Sequence, residues 1–277
     1  MEEQELDAAQ AAGHTDNGRI GFEGLPNTRD LGGLPAADGC RIACRRLLRS
    51  GQLASATPAD LARLGGEYGL RLVVDLRTDE ECAEKPDPMG ELPGARLVRL
   101  PVFHGPASGV SRSMQDMERV ARQMMQGEVE PAQLFVTLYP HLVLDDDGIA
   151  AYSAFFREIL DEREGSVLWH CSAGKDRCGM ASVLLEAALG VPEPVIEADY
   201  LATNRFYGID PSAEGADPMD VLNGVDLRFL HAATAAIEGA YGGVGAYLSE
   251  ALGVDGDAVA ANTYGYASSG ESFSIAD

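Results

Sequence analysis

The run Gly165-Ser166-Val167-Leu168-Trp169-His170-Cys171-Ser172-Ala173-Gly174-Lys175-Asp176-Arg177-Cys178-Gly179 sets a short apolar segment, suited to a buried strand, directly before a polar loop. An apolar-patterned segment follows and predicts a helix from about Arg177 to Leu189, ended by Gly190 and Pro192. In a strand–loop–helix of this kind the loop wraps its backbone N–H groups around an anion, and the helix N-terminus adds positive potential. A cysteine opening such a loop is a stabilised thiolate, and so a nucleophile at neutral pH. Arg177, six residues beyond Cys171, closes the turn with a planar fork that grips two oxygens of a phosphoryl group. Gly174 lets the backbone come close to the ligand. Cys171 and Arg177 are thus candidate catalytic residues, and Ser172, Ala173, Gly174 and Lys175 candidate substrate-binding ones.

Outward from this loop the chain reads as α/β. Leu70–Leu76 is a β-rich run for a buried strand, and Arg96–Val102 is a second. Thr57-Pro58 supplies a cap and a first-turn proline for a short helix to about Leu64. Arg19–Ser50 reads as short strands and turns, with a tight loop at Asn27–Gly33 and a hairpin signal at Ala37-Asp38-Gly39. Gly148–Glu162 carries Ile149, Tyr152, Phe155, Phe156, Ile159 and Leu160 on one helical face. Asp145-Asp146-Asp147 before it reads as a helix cap and dipole partner rather than a metal site. Residues 195–205, 227–241 and 244–252 complete a helical C-terminal third. In 104–147, Met114, Met117, Met124 and Met125 recur at helical spacing, which predicts a helical insertion or lid. Strands joined through helical crossovers imply a mostly parallel central sheet flanked by helices. Residues 1–18 read as a disordered acidic N-terminus, 19–255 as a single domain and 256–277 as a low-complexity tail.

Charge narrows the function classes. The 277 residues hold 21 Lys+Arg against 44 Asp+Glu, a formal net charge of −23. This excludes a general nucleic-acid surface, which needs a basic face, and argues against stable binding to anionic membranes. The only lysines are Lys85 and Lys175, so an anion site has to be built locally against the field of the whole molecule. No apolar run reaches the roughly 20 residues of a membrane span, and the acidic N-terminus does not look like a secretory signal, which makes a cytoplasmic location the expectation. Cys40, Cys44, Cys82, Cys171 and Cys178 are an odd, sparsely spaced set without a C-x-x-C pair, so neither a disulfide scaffold nor structural zinc is expected.

Cys-x5-Arg in its fuller form, His-Cys-x-x-Gly-Lys-Asp-Arg-x-Gly from His170 to Gly179, resembles the phosphate loop of the cysteine-dependent protein-tyrosine-phosphatase superfamily. It looks like the bacterial tyrosine/lipid branch, which includes the mycobacterial secreted phosphatase B type and acts on phosphotyrosine, phosphoserine/threonine and phosphoinositides. Asn27-x-Arg29-Asp30-Leu31-Gly32-Gly33, Asp75-Leu76-Arg77, Tyr152-x-x-Phe155-Phe156 and Leu189-Gly190-Val191-Pro192 fit the same pattern, so the likeness covers roughly residues 20–255 and is weakest in 104–147. The resemblance implies a protein-tyrosine-phosphatase-like fold and a phosphomonoester hydrolase that needs no cofactor or metal. In it, Cys171 attacks phosphorus, and Arg177 with the backbone of 172–177 holds the phosphoryl oxygens. There is no Trp-Pro-Asp to supply the acid, since Trp169 belongs to the strand. The resemblance places the acid at Asp176, with Asp75, at the end of a parallel strand, as the rival. It also implies that His170 orients the loop and that Lys175 faces a second substrate charge.

Several accessory readings stay open. Asp75 and Arg77 are either a functional pair or a strand-end ion pair, and Arg29 lies in the family-like N-terminal motif. Arg45, Arg46 and Arg49 are either a substrate-facing patch or a solvated face. Cys178 stands where the family usually has Thr, a better donor, which predicts slower phosphoenzyme hydrolysis, or else a role in resolving an oxidised Cys171. The substrate is a phosphoprotein or a soluble phosphoester, with phosphoinositide disfavoured by the charge. A phosphatase of a sugar or nucleotide phosphate, and a phosphate-recognising module with negligible turnover, are the alternatives.

Overall fold

The strand that delivers the loop lies at the centre of the sheet. In the computed structural model, which describes residues 16–103, 122, 130–211, 213, 218–254 and 267–269, β1 (Arg29–Asp30), β3 (Leu47–Ser50), β4 (Leu70–Asp75), β5 (Arg96–Arg99) and β6 (Ser166–His170) form one sheet in the order β1-β3-β6-β4-β5. Only β1 runs antiparallel to its neighbour, β3, and the other pairings are parallel. β2 (Cys40–Ile42) pairs separately with β7 (Ala267–Ser269), which comes from the stretch read as a low-complexity tail. Register sets the site: His170 is level with Ser50 on one side and with Asp75 on the other. Three strands therefore end together, and the loops that leave them share the carboxyl edge where α/β proteins bind ligands.

Alternation along the strands divides the core. Leu72, Val74, Val167 and Trp169 face one layer, while Leu48, Val73 and Leu168 face the other. The smaller layer holds Leu61 and Leu64 of α1 (Pro58–Gly66), which Thr57 starts through a capping box with Asp60. α2 (Asp79–Glu84) starts in the same way from Thr78 and Glu81. The larger layer packs α3 (Pro131–Leu144), α4 (Asp146–Asp161), α5 (Arg177–Ala188), α6 (Glu193–Tyr207), α7 (Pro218–Asn223), α8 (Leu227–Tyr241) and α9 (Val244–Glu250). α5 is enclosed on all sides, with every residue from Arg177 to Glu186 buried, so it is the axis of this layer.

The α/β class and the mostly parallel sheet agree with the sequence reading. α2 and α7, of six residues each, escaped it, being too short to show a helical period. Met114, Met117, Met124 and Met125 of the methionine stripe and residues 1–15 lie outside the described residues. Within 104–147, α3 is helical and carries Phe135 stacked on Phe229 of α8 at 4.9 Å. Asp145 takes the N-cap position of α4, but its side chain meets His141 Nδ1 at 3.0 Å instead of the helix N–H groups. The arginine trio divides: Arg45 is exposed beside Glu67, whereas Arg49 is fully buried, so neither a common patch nor a common solvated face describes it. Among the described residues no helix is long and apolar enough to cross a membrane.

Candidate active site

Each functional side chain is placed by the end of an element. β6 hands His170 to the loop, Cys171 begins it, Asp176 takes the N-cap position of α5, and Arg177 is the first residue of that helix. Gly174 has φ +68°, and a Cβ there would come within 2.5 Å of the Ser50 carbonyl oxygen, so glycine is required both by conformation and by the close approach to β3. Cys171 is buried at the base of the turn.

Arg177 is gripped from behind by a residue that sequence reasoning missed. Its Nη1 and Nη2 donate to Glu81 Oε2 and Oε1 at 2.6 and 2.9 Å. Glu81 Oε2 also accepts from the Thr78 backbone N–H at 3.0 Å, and Oε1 accepts from Ser172 Oγ at 2.5 Å. One carboxylate thus caps α2, orients the arginine fork and fastens the loop. Burial works against the charge on Arg177, but Glu81 more than reverses that and raises its pKa above the ordinary value. The available signal was Thr78-x-x-Glu81, a capping box directly after the strand-end Asp75-Leu76-Arg77.

Asp75 and Arg77 form a structural pair beneath the loop. Asp75 accepts from the Arg77 backbone N–H, Nε and Nη2 at 3.0, 2.9 and 2.8 Å, and from Cys82 Sγ at 3.1 Å. Arg77 Nη2 reaches Asp87 at 2.9 Å as well. Burial alone would raise the Asp75 carboxyl, but His170 and Arg77 override it and hold it well below the usual range. Both Asp75 oxygens are thus taken up by donors from Arg77 and Cys82, an arrangement that favours the carboxylate form. Asp75, Asp87 and His170 lie close enough together to suggest a metal site, but the Arg77 guanidinium already joins both carboxylates.

His170 lies in the same network, with Nε2 3.2 Å from Asp87 and Nδ1 3.2 Å from the Cys171 carbonyl. Burial lowers its pKa, yet Asp75 and Asp87 together raise it above the ordinary value. A raised folded pKa means that this contribution to stability is fully present below about pH 6.5 and is lost as the pH rises through the folded value. Melting temperature should therefore fall on the alkaline side of that window, and His170→Gln should flatten the slope; a slope unchanged by the substitution would contradict the assignment.

Asp176 and Lys175 turn towards the helical layer. Asp176 Oδ1 accepts from Tyr139 Oη and from Lys175 Nζ, each at 2.8 Å, and Tyr200 Oη donates to Tyr139 Oη at 2.8 Å. Lys175 is fully buried, with its ammonium 3.1 Å from the Gly224 carbonyl and 4.3 Å from the Phe135 ring centroid. The resemblance implies that Lys175 faces a second substrate charge; here Phe135 of α3 and Asp176 ahead of α5 draw its ammonium inward. A family model described as the tyrosine phosphatase family matches residues 20–263. The chain belongs to the tyrosine phosphatase family.

A Cupriavidus necator protein assigned as a tyrosine-protein phosphatase is 33% identical over 264 residues, covering 90% of this chain and 88% of that one. A tyrosine-protein phosphatase of Nostoc commune is 28% identical over 244 residues, covering 79% and 74%. The triple specificity protein phosphatase PtpB of Mycobacterium tuberculosis is 33% identical over 105 residues, covering 31% of this chain and 38% of its own. This chain is a phosphatase.

Two openings of this phosphatase border Ser172 and Ala173. A cleft of about 430 Å³ has Leu25, Pro26, Asn27, Gln52, Tyr207 and Asn223 among its walls and, among the described residues, no charged side chain. A recess of about 210 Å³ adds Glu81, Glu84 and Lys85, one cation against two carboxylates. Cys178 is fully buried, with its Sγ 3.6 Å from the Trp169 carbonyl, and burial pushes its thiol up to about 12. Its proton is thus directed to the strand, a poor arrangement for a resolving thiolate. Arg29 is equally enclosed, with Nε on Asp199 at 3.0 Å.

Proposed function

We propose that this phosphatase hydrolyses phosphomonoesters of uncharged aryl alcohols, phosphotyrosine foremost, in two steps through a phosphocysteine on Cys171. The observation that carries the reading is the Arg177 fork held charged and oriented by Glu81 at the N-terminus of α5, in the loop that Cys171 opens. A module that only recognised phosphate would have no use for a nucleophile there. In the first step the Cys171 thiolate attacks phosphorus, the S–P bond forms as the ester P–O bond breaks, and Asp176 gives its proton to the leaving oxygen. In the second, water attacks phosphorus and passes a proton to Asp176; the S–P bond breaks, and thiolate and inorganic phosphate separate. Arg177 and the loop N–H groups hold the phosphoryl oxygens throughout. The same reading takes residues 19–255 as one phosphatase unit.

Three observations support an uncharged aryl group beside the phosphoryl: the lack of charge among the described walls of the larger cleft, the inward turn of Lys175, and a net charge of −23 that opposes anionic membranes. The Cupriavidus and Nostoc relatives are named for tyrosine-protein phosphatase activity, and the mycobacterial one for triple specificity. The test is a panel of phosphotyrosine peptide, phosphoinositide vesicles and sugar and nucleotide phosphates, with EDTA present. kcat/KM for the peptide should exceed the others by at least about tenfold; a phosphoinositide or metabolite turned over as fast would overturn the assignment. Asp176→Asn should lower kcat by about 10²–10⁴-fold on an alkyl phosphate and far less on p-nitrophenyl phosphate, whose leaving group needs no proton. If Asp75→Asn showed that leaving-group dependence instead, the acid would be Asp75.

A further inference from the structure

A loop that turns its N–H groups inward around a phosphoryl group must turn carbonyl groups outward into the protein, where each needs a donor. Here those donors come from distant parts of the chain. The Gly174 carbonyl accepts from Arg49 Nη2 and from Asn27 Nδ2, both at 3.1 Å. The Ala173 carbonyl accepts from Asn27 Nδ2 at 3.2 Å and Tyr207 Oη at 2.7 Å. Asn27 and Arg49 are both buried.

The two donors belong to one closed circuit. Arg49 Nη1 donates to Asp199 Oδ2 at 2.6 Å, and Arg29 Nε donates to Asp199 Oδ1 at 3.0 Å. Arg29 Nη1 in turn donates to Asn27 Oδ1, which fixes the amide so that its NH2 group points at the loop. Asp199 sits on α6, Arg49 on β3 and Asn27 ahead of β1, so three elements converge behind a single turn of backbone. Both guanidinium groups thus share the Asp199 carboxylate, and burial, reinforced by Asp199, pushes the neighbouring Glu186 carboxyl well above the usual range. Nothing in the two-step chemistry uses these groups directly.

We propose that Arg49 and Asn27, braced through Asp199 and Arg29, are positioning residues of the phosphate loop: they hold the Ala173 and Gly174 carbonyls outward so that the loop N–H groups converge on the phosphoryl oxygens. The proposal rests on reading residues 171–177 as the phosphate-binding loop. It predicts an effect on oxyanion affinity and on kcat, since preorganised donors act most where charge develops in the transition state.

The test measures the affinity of inorganic phosphate and orthovanadate by calorimetry, together with kcat and KM for p-nitrophenyl phosphate, on the full chain. Arg49→Met should weaken vanadate and lower kcat by at least about tenfold, with a smaller change in KM. Arg49→Lys, which reaches Asp199 or Gly174 but not both, should recover part of that loss. Asn27→Ala removes only uncharged donors and decides the question if the Arg49 variants do not fold; it should weaken vanadate severalfold. Variants that melt earlier yet keep vanadate affinity and kcat within twofold of the unaltered protein would overturn the proposal, leaving the circuit a prop for the fold. Loss of turnover in the unaltered protein, with phosphate still bound in an Asn27-dependent way, would instead overturn the phosphatase reading and leave the tether standing.

Discussion

Cys171→Ser is expected to end turnover while leaving phosphate binding in place. The substitution exchanges one sulfur for oxygen and keeps the loop's backbone, Arg177 and the Glu81 brace. A serine hydroxyl is not ionised at neutral pH, and the scheme holds no base for its proton in the attack: Asp176 is the acid of that step, and His170 lies in the carboxylate network beneath the loop. kcat should fall by roughly 10⁴-fold or more, as when a nucleophile is removed from a site that otherwise stays assembled. A phosphotyrosine peptide should bind the variant within about threefold of the Cys171 protein, because ground-state contacts are retained. Turnover assays and calorimetry on the same preparation read both quantities. If activity stayed within tenfold, the nucleophile would lie elsewhere and the two-step scheme would fail.

The contiguous part of this site was legible in the sequence, and the part assembled across the fold was not. Residues 170–179 hold a nucleophile, a fork of donors, a flexible glycine and a helix start in one run, and a run keeps its meaning wherever the chain goes. Glu81 stands 96 residues from Arg177, and Asp199 stands 150 from Arg49; no periodicity or spacing rule links such pairs. Lys175 shows the converse. Its neighbours in sequence place it on a phosphate loop, but its direction is set by Phe135, Gly224 and Asp176, which only the packing of α3 and α7 against α5 brings together. Arg49 was one of three nearby arginines that sequence alone could not separate. The pleat does separate them: Arg49 is paired with Trp169 inside the sheet, whereas Arg45 precedes β3 and stays in solvent.

The Arg177–Glu81 clamp carries the second large expected effect, and it separates charge from geometry. Arg177→Lys keeps a positive charge but loses the planar fork, so it can satisfy neither both Glu81 oxygens nor two phosphoryl oxygens. Its kcat should fall by about 10³-fold, or about 4 kcal/mol of transition-state stabilisation. Glu81→Gln leaves the arginine in place but removes the carboxylate that fixes it and that anchors Ser172 Oγ. Misplacing the fork by about an ångström should cost on the order of 10²-fold in kcat. The same change strands a buried guanidinium, which should lower stability by about 3–5 kcal/mol. The two variants should differ in kind: saturating phosphate should restore part of the melting temperature in Glu81→Gln, because the anion replaces the missing partner of Arg177, and should do much less in Arg177→Lys. Denaturation with and without phosphate, alongside kcat, reads this directly. If phosphate stabilised both variants equally, Arg177 would not be the residue that receives the anion, and Glu81 would be no more than the cap of α2.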